Sequence, residues 1–405
     1  MAKRGSTLAC TDFPLYTIRT VDERHFLIAG GGGQAKTGIS NTIELYELKN
    51  DNGTCIANKV KRFDAGIDAV MNSCVFHYKR QLLMAAGVGG KCEVLALRTS
   101  IQTLKEHPQG GARQRKGKSE EQPTKLMTFD IESQGTVQTD FSADGGFQKN
   151  VKVTTDGSLM ATGGADGCMR VWSYPELKEL YEVKAHTNEI DDLDISPSGN
   201  RITTLSRDGH ACVWNTKDGS KHIELNWPKD SSKKYRFRNC GYAVVPGKKK
   251  SECVLITSHV PISRSGKPLP CYLSKWNDPK YAPLRIVSAG TEALSALAIS
   301  DDGIYIGLGS LDGSVSVYIT FSLQRLYHLP QAHNIFVTGL EFTPSSALTR
   351  QLTGNEDFSL LSISADNQVK LHQEDPPSLW SPLWAIAGFI LLIYLLFWFI
   401  STYGL

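Results

Sequence analysis

The sequence of 405 residues contains no Cys-x-x-Cys pair, although it has nine cysteines. The odd total and the scattered positions argue against a disulfide framework and a zinc site, and they suit a reducing compartment. Net charge is also nearly absent, because 44 lysines and arginines face 41 aspartates and glutamates, which leaves a formal charge of +3. The overall charge therefore does not indicate a nucleic-acid-binding protein, and we expect no nucleic acid as a partner.

Charged residues are missing altogether from Pro376 to Leu405. The densest apolar part, Leu383–Ile400, would span about 27 Å as a helix, which matches the hydrocarbon thickness of an endoplasmic reticulum bilayer. Trp380, Trp384, Trp398 and Tyr403 lie where an aromatic belt is expected. We therefore predict a linker over 374–382, a transmembrane helix over 383–401 and a short lumenal tail over 402–405.

The first thirty residues lack a charged region leading into a long apolar run. We therefore expect no signal peptide. The apolar segment would then enter the membrane last, as a single span, and residues 1–373 would remain on the cytosolic side.

What the sequence does contain is a repeat. MATGGADGCMRVW ends at Trp172 and ITTLSRDGHACVW ends at Trp214, and each has a small or apolar strand, an Asp-Gly turn and an alternating strand. Two spacings, Trp172 to Trp214 and Trp276 to Tyr318, are about 42 residues, a period typical of WD repeats. Seven such units predict an all-β fold, a seven-bladed WD-repeat β-propeller over 1–373, with six or eight blades left open.

One repeat carries a His, an Asp and a Thr, which could suggest a catalytic triad. No nucleophile elbow accompanies them, and these positions are where WD repeats place a buried hydrogen-bonded tetrad, so we interpret them as structural. His333 with Asp366 is predicted to be a second, degenerate copy. The four tetrad residues are His186, Thr204, Asp208 and Trp214.

The repeat is interrupted most strongly in its first unit. Strands predicted at about His25–Gly30 and Ile43–Leu48 are joined by GGGQAKTGISNT, which is longer than the same turn in the Trp172 unit. Four consecutive glycines, Gly30–Gly33, can adopt positive φ and expose backbone groups. Such backbone can surround an ion, because N–H groups form a nest for anions and C=O groups coordinate a hard monovalent cation.

An enzymatic interpretation of this loop is not favoured. Gly30-x4-Ala35-Lys36-Thr37 is one residue away from the phosphate-binding GxxxxGK[ST] motif. That motif needs a helix immediately after it to direct N–H groups at the phosphates, whereas here Gly38 and a predicted strand follow. On composition alone, a flexible glycine-rich hairpin without function stays open.

The loop GGGGQAKTGISN (30–41), the upstream FPLY (13–16) and the C-terminal apolar segment together resemble one family across nearly the whole chain. This is the family of endoplasmic reticulum guanine-nucleotide exchange factors for Sar GTPases, also called the prolactin regulatory element-binding protein family. The resemblance implies a membrane-anchored exchange factor that performs no covalent chemistry. It would promote GDP release from a Sar-type small GTPase and so start COPII coat assembly at the endoplasmic reticulum.

The resemblance also implies which residues act. Asn41 is implied to be needed for exchange, with Ile39 as an apolar wedge beside it. The loop is implied to hold a potassium ion through backbone groups of Gly31, Gly32, Gly33 and Gly38. Further candidates for contact with the partner are Lys36, Arg264 and Lys267.

Arg264 and Lys267 belong to a second inserted loop, HVPISRSGKPLP (259–270). In a four-stranded blade, alternate turns emerge on alternate faces, and this parity places the second loop on the same face as the first. A solvated proline-rich loop is an equally good interpretation.

Basic insertions are predicted on the opposite face. Residues 111–125 and Lys248–Lys250 lie in turns of that face, which we expect to lie toward the anionic cytoplasmic leaflet. We expect 99–127 to be disordered. Two other classes stay open: a WD-repeat scaffold at the same membrane without exchange activity, and, less favoured, a DNA-binding regulator. The lack of a recognition-helix motif counts against DNA binding.

Overall fold

The computed structural model describes residues 5–35, 38–103, 125–143, 145–227, 235–247, 252–263, 268–354, 356–374 and 380–403. Within them, the strands form seven four-stranded antiparallel sheets. The first strand of each sheet contacts the first strand of the next, and the seventh sheet contacts the first, so the sheets form a closed ring. The predicted seven-bladed β-propeller is confirmed, and the blade count that the sequence left open is seven.

Six blades are built from four consecutive strands, which we call a, b, c and d from the central channel outward. Blades 1 to 3 are β2 (Leu15–Thr20), β3 (His25–Gly30), β4 (Thr42–Asp51), β5 (Thr54–Asp64); β6 (Val70–Tyr78), β7 (Gln81–Val88), β8 (Lys91–Thr103), β9 (Lys125–Gln138); β10 (Gln148–Val153), β11 (Leu159–Gly164), β12 (Cys168–Ser173) and β13 (Lys178–Lys184). Blades 4 to 6 are β14 (Ile190–Ile195), β15 (Arg201–Ser206), β16 (Ala211–Asn215), β17 (Lys221–Glu224); β18 (Tyr235–Val244), β19 (Cys253–Pro261), β20 (Cys271–Asn277), β21 (Pro283–Gly290); β22 (Leu294–Ile299), β23 (Tyr305–Ser310), β24 (Val315–Ile319) and β25 (Gln324–Leu329).

The seventh blade joins the two ends of the ring. It contains β26 (Val337–Phe342), β27 (Ser359–Ser364), β28 (Gln368–Gln373) and, as its outermost strand, β1 (Ser6–Cys10). Strand β1 pairs with β28 in antiparallel fashion, from Ser6 opposite Leu371 to Cys10 opposite Gln368. The closure that the sequence left open is therefore made by the N-terminal strand.

Seven separate hydrophobic clusters hold the blades together, and each fills the space between two neighbouring sheets. The b strands are the most completely buried, as in β3, where all six residues are buried. This is the reason that the sequence shows short apolar runs there rather than alternation. The blades therefore form a stiff ring, and the turns at its two faces are left to vary.

The tetrad predicted in blade 4 is present. His186 Nε2 lies 2.8 Å from Thr204 Oγ1, and Trp214 Nε1 donates to the same oxygen at 2.8 Å. His186 Nδ1 lies 3.2 Å from Asp208 Oδ2. Burial opposes the charged form of His186 and holds its pKa below the ordinary value despite the nearby Asp208 carboxylate, so the ring is neutral.

The degenerate copy predicted in blade 7 is also present. His333 Nδ1 lies 3.1 Å from both carboxylate oxygens of Asp366, and His333 Nε2 lies 2.7 Å from Ser362 Oγ. His372 takes the position of the tryptophan, with its Nε2 2.7 Å from the same hydroxyl.

The two faces of the ring carry different connections. The b–c turns and the d–a connections emerge on one face, which we call the upper face, and the a–b and c–d turns emerge on the other, the lower face. A short helix, α1 (Ala347–Thr353), lies in the a–b connection of blade 7 and contacts β4. Of the insertions predicted on the lower face, residues 111–124 and Lys248–Lys250 lie outside the described residues, whereas Lys125 is the first residue of β9.

The prediction that 99–127 are disordered is wrong at both ends of this insertion. Residues 99–103 extend β8 and residues 125–127 extend β9, with Thr103 opposite Lys125. The ladder continues because two antiparallel strands keep adding hydrogen bonds beyond the rim of the blade. The middle of the insertion lies outside the described residues.

Helix α2 (Trp380–Tyr403) occupies the C-terminal apolar segment. It begins three residues before the predicted span, since Trp380 to Pro382 are helical rather than linker. Many of its described side chains are large, apolar and exposed, among them Phe389 and Trp398. In the described parts of the chain, no helix meets both the length and the apolarity needed to cross a membrane.

Candidate functional site

The connection between β3 and β4 is the longest of the b–c connections on the upper face. It runs over 31–41, and positive φ angles at Gly31 (141°), Gly33 (71°) and Gly38 (78°) turn the chain where other residues would be strained. Lys36, predicted as a partner contact, lies outside the described residues, as do Arg264 and Lys267 of the second loop.

Asn41 fixes this loop from its C-terminal end. Its side chain is buried, with only 6% exposed, and Asn41 Oδ1 accepts a hydrogen bond from the Gly33 N–H at 2.9 Å. Its Nδ2 donates to the carbonyls of Gly33 at 3.3 Å, Gly66 at 3.1 Å and Ile67 at 2.6 Å. One amide group therefore joins two connections of the upper face, the glycine-rich loop and the β5–β6 connection.

Gly31 is required by this arrangement. A Cβ atom at this position would lie 2.3 Å from Asn41 Oδ1 and 2.6 Å from Asn41 Cα, which no side chain could tolerate without moving the loop. A second link extends outward, because Gln34 Nε2 donates to Asp68 Oδ2 at 3.0 Å. The loop is thus packed against its neighbour along both of its halves.

An ionic network supports the base of the loop. Arg62 of β5 donates to Ser40 Oγ at 2.7 Å and to Asp12 Oδ2 at 2.9 Å, and it lies 3.7 Å from the fully buried Glu44 carboxylate. The hydrogen bond from Arg62 lowers the pKa of Asp12. Lys59 is a second cation on Glu44, at 2.6 Å. Ser40, next to Asn41, is therefore held from the side of the blade as well.

Ile39, which was predicted as an apolar wedge, lies in the second half of the loop. Its side chain is 39% exposed, and Ile67, on the connection that Asn41 holds, is 82% exposed. Asn41 itself is not at the surface, because both of its polar side-chain atoms are used inside the protein. Asn41 therefore holds the loop from inside the protein, whereas the side chain of Ile39 is exposed.

Exposed large apolar residues concentrate on this face. Eight lie in its connections, whereas the connections of the lower face carry two among the described residues, Ile304 and Phe321. Single exposed apolar residues are ordinary, but a concentration on one face is typical of an interaction surface. The eight are Ile39, Ile67, Phe141, Ile262, Leu269, Leu311, Ile335 and Phe336.

The loop offers backbone oxygens rather than acidic side chains. The turn and loop hydrogen bonds between described backbone groups include none to the carbonyls of Gly31 and Gly32. Carbonyl oxygens are donors that suit a hard monovalent cation, so the donor set fits such an ion. In the described portions of the chain, no group of three or more His, Cys, Asp or Glu side chains could hold a metal ion.

Sequence reasoning did not find Arg62, Gly66 or Ile67. Gly66 and Ile67 contribute carbonyl groups, for which no residue type is a signal. Ile67 lies in the short connection between β5 and β6, and an isoleucine in a turn is a signal that could have been noticed. Arg62 sits on an outer strand whose alternating basic residues are typical of a solvated edge.

Comparisons with known proteins agree with this architecture. The model described as WD domain, G-beta repeat matches residues 136–173 and 177–215. Among solved structures, Raptor from Chaetomium thermophilum is similar with a TM-score of 0.62 and 14% identity, covering 92% of this chain and 29% of that one, and this similarity shows the fold alone.

Two relatives carry more specific names. The mouse protein named guanine nucleotide-exchange factor SEC12 is 36% identical over 385 residues, which are 91% of each chain. SEC12-like protein 1 of Arabidopsis thaliana is 30% identical over 213 residues, covering 49% of this chain and 47% of that one. The identity and extent of the first match show that the chain belongs to the SEC12 guanine nucleotide-exchange factor family.

Proposed function

We propose that this protein promotes GDP release from a Sar-type small GTPase and thereby starts COPII coat assembly at the endoplasmic reticulum. The observation that carries the proposal is the glycine-rich loop fixed by Asn41 on the face where exposed apolar residues concentrate, in a member of the SEC12 family. The protein would act as an exchange factor and not as an enzyme that makes or breaks covalent bonds.

The energy that exchange requires is modest. A GTPase that holds GDP with a Kd near nanomolar binds it with about 12 kcal/mol. A thousandfold faster release needs about 4 kcal/mol of differential stabilisation of the nucleotide-free GTPase. Because binding is reciprocal, whatever the factor does to loosen the nucleotide, the nucleotide does to loosen the factor. A rigid ring that presents one ordered loop can supply this difference.

Ile39 and Asn41 would have different roles in exchange, because Ile39 is exposed and Asn41 is buried. Ile39 would press on the switch segments and on the Mg²⁺ region of the docked GTPase, while Asn41 acts through the loop by keeping its shape. The ordering entropy of a glycine-rich segment is large, so fixing the loop before docking preserves binding energy for exchange. Lys36, Arg264 and Lys267 are proposed as additional contacts with the GTPase.

A potassium ion bound to the loop would add to this rigidity. Gly31, Gly32, Gly33 and Gly38 would hold it through backbone carbonyls. The open space around Gly33 and Gly38, where an added Cβ atom would meet nothing within 4 Å, favours this proposal. When bound, the ion would supply positive charge that keeps several carbonyl dipoles pointing inward.

We further propose that α2 anchors the propeller to the endoplasmic reticulum membrane as a single span, with the ring on the cytosolic side. Support comes from the uncharged segment Pro376–Leu405 and from the exposed apolar side chains of α2. Extraction of membranes at alkaline pH tests this: an anchored protein stays with the lipid, and release into the supernatant would refute anchoring.

The function is tested with the full-length protein in nonionic detergent and a panel of small GTPases loaded with fluorescent GDP. We expect release from a Sar-type GTPase to accelerate at least a hundredfold, with little effect on other GTPases. Replacing potassium by sodium at equal ionic strength should lower the acceleration if the ion is bound. A scaffold without exchange activity predicts no acceleration with any GTPase in either salt.

A further inference from the structure

A cluster of cations surrounds the upper end of the central channel, across the channel from blade 1. It consists of Lys149 at the start of β10, Arg207 in the β15–β16 turn, and Arg236 and Arg238 at the start of β18, and we call it the basic mouth. The channel cavity at this end is about 200 Å³, and its lining includes Lys149, Arg238 and, on the side of blade 1, Tyr16.

The basic mouth is assembled around two carboxylates. Asp191, whose side chain is only 4% exposed, pairs with three arginines: Arg238 Nη1 at 2.7 Å, Arg207 Nε at 3.3 Å, and Arg236 through a shorter contact. Glu189 pairs with Lys149 at 2.5 Å and also with Arg207. Four cations therefore share two anions.

This excess of positive charge is local. Burial alone would raise the pKa of Glu189, but the hydrogen bond and charge of Lys149, with the charge of Arg207, hold it below its ordinary value. The four cations thus outnumber by two the carboxylates that they contact. Deeper in the channel the balance differs, since Lys152 already pairs with Asp194 at 3.0 Å.

The cations keep unused hydrogen-bonding capacity. A guanidinium group has five N–H donors in a fixed fork, so an arginine that gives one or two of them to Asp191 can still bind another carboxylate. Arg207 is half exposed, and Arg236 and Arg238 are about a quarter exposed. The carboxylates below the surface preorganise the forks, which reduces the entropy lost when a partner binds.

We propose that the basic mouth binds an acidic segment of the GTPase while the GTPase is docked on the upper face. The inference rests on the proposed function and deepens it by naming a second contact. A protein segment with two or more carboxylates fits because the cations are distributed over blades 3, 4 and 5, opposite the glycine-rich loop, so one rigid partner could contact both. Charge complementarity of this kind mainly accelerates association.

The test compares three variants of the full-length protein in detergent, with fluorescent GDP release from the Sar-type GTPase as the readout. Arg236→Glu should lower kcat/KM about tenfold at about 50 mM salt and leave kcat nearly unchanged. Arg236→Lys, which keeps the charge, should stay within about twofold of the unmodified protein. Lys217→Glu, an exposed lysine of the lower face, is the matched control and should have no effect.

Salt and thermal unfolding separate the proposal from a folding defect. At about 500 mM salt the difference in kcat/KM between Arg236→Glu and the unmodified protein should largely disappear, because salt screens the electrostatic attraction of the GTPase. A folding defect would not be corrected by salt. Equal unfolding temperatures for the two Arg236 variants complete the expected result. A deficit of Arg236→Glu that persists at high salt would overturn the proposal.

Two further outcomes are distinguishable. If the unmodified protein accelerates release but Arg236→Glu does so equally well at low salt, the basic mouth is not a contact, although the proposed function stands. If the unmodified protein does not accelerate release at all, the proposed function itself fails. Direct binding of fluorescent GDP to the protein without GTPase, lost in Arg236→Glu, would overturn the proposal by assigning the basic mouth to nucleotide phosphates.

Discussion

Two b–c connections of the upper face, in blade 4 and in blade 1, are held in place by different kinds of hydrogen bond. In blade 4 the b–c turn is tight, and Asp208 accepts hydrogen bonds from the Thr187 and His210 N–H groups at 3.0 and 2.9 Å. In blade 1 the b–c loop is long and glycine-rich, and the single side chain of Asn41 joins it to the next connection.

The difference concerns where each network places its buried groups. The blade 4 tetrad joins Thr204 and Trp214 of the sheet to His186 and Asp208 of the connections, so its loss affects the ring. Asn41 binds side chain to backbone outside the sheet, so its loss affects the shape of one loop. The comparison shows how a blade can present a long loop without loss of the fold: the b–c connection is held by an asparagine bound to the neighbouring connection instead of by the tight turn at Asp208.

The largest effect is expected from Thr204→Val. The change keeps the volume but removes the hydroxyl that serves Trp214 Nε1 and His186 Nε2, and it leaves two buried polar groups without a partner. We expect the free energy of unfolding to fall by about 2–4 kcal/mol. Chemical denaturation measures this, with Thr155→Val at an exposed site as control. GDP release per folded molecule should be unaffected, and a parallel loss of activity would break the comparison.

Asn41→Ala should lower the acceleration of GDP release and leave the stability of the ring nearly unchanged. It removes four hydrogen bonds that fix the loop, so acceleration of GDP release should fall at least tenfold, which corresponds to about 1.4 kcal/mol. The unfolding temperature of the ring should change little. Asn50→Ala, an exposed asparagine of the lower face, is the control. Near-normal acceleration by Asn41→Ala would remove this residue from the mechanism.

Acidification should weaken the blades through their buried histidines. Burial lowers the pKa of His372 to about 3, against about 6.5 in the unfolded chain, so the unfolded state binds a proton that the folded state does not. The contribution of His372 to the free energy of unfolding is therefore complete well above pH 6.5 and decreases as the pH falls below that value. Between pH 7.5 and pH 5.5 the free energy of unfolding should fall by about 1.4 kcal/mol on account of this residue.

The measurement is denaturant unfolding at both pH values for the unmodified protein and for His372→Phe. The variant loses hydrogen bonds to Ser362 and Tyr327 and should be less stable at neutral pH, but its loss on acidification should be smaller. An identical pH dependence in the two proteins would contradict the assignment.

The smallest effect is expected from Ile67→Ser. This residue is 82% exposed on the upper face, so the change should leave stability unaltered and reduce kcat/KM for GDP release about threefold by removing apolar contact. Phe321→Ser is a closely matched control, because Phe321 is 87% exposed on the lower face. Equal reductions by both variants would show that the upper face has no special role.

The sequence predicted what local pattern encodes. Strand b of blade 1 was expected at His25–Gly30 and is found there, and the blade 4 tetrad has the expected partners, because turn residues and strand alternation act over a few positions. The same holds for the long loop of blade 1, which is visible as an interruption of the period.

Long-range partners were not predictable in this way. The pairing of β1 with β28, the hydrogen bonds of Asn41 to Gly66 and Ile67, and the arginines around Asp191 depend on how the ring brings distant segments together. Nothing in a single sequence marks a backbone carbonyl as the acceptor of a particular amide. The prediction of Asn41 rested on resemblance, and the structure adds the reason that an asparagine is suited to this position.

The closure of the ring has a mechanical consequence. Strand β28 lies between β27 and β1, so it is hydrogen-bonded along both edges, and it is the last strand before α2. Tension applied through α2 would load two ladders at once in shear, the direction in which many hydrogen bonds must break together. The pairing of β1 with β28 therefore increases the force that β28 can bear. Without β1, we expect the same tension to separate β28 from the seventh blade at a lower force.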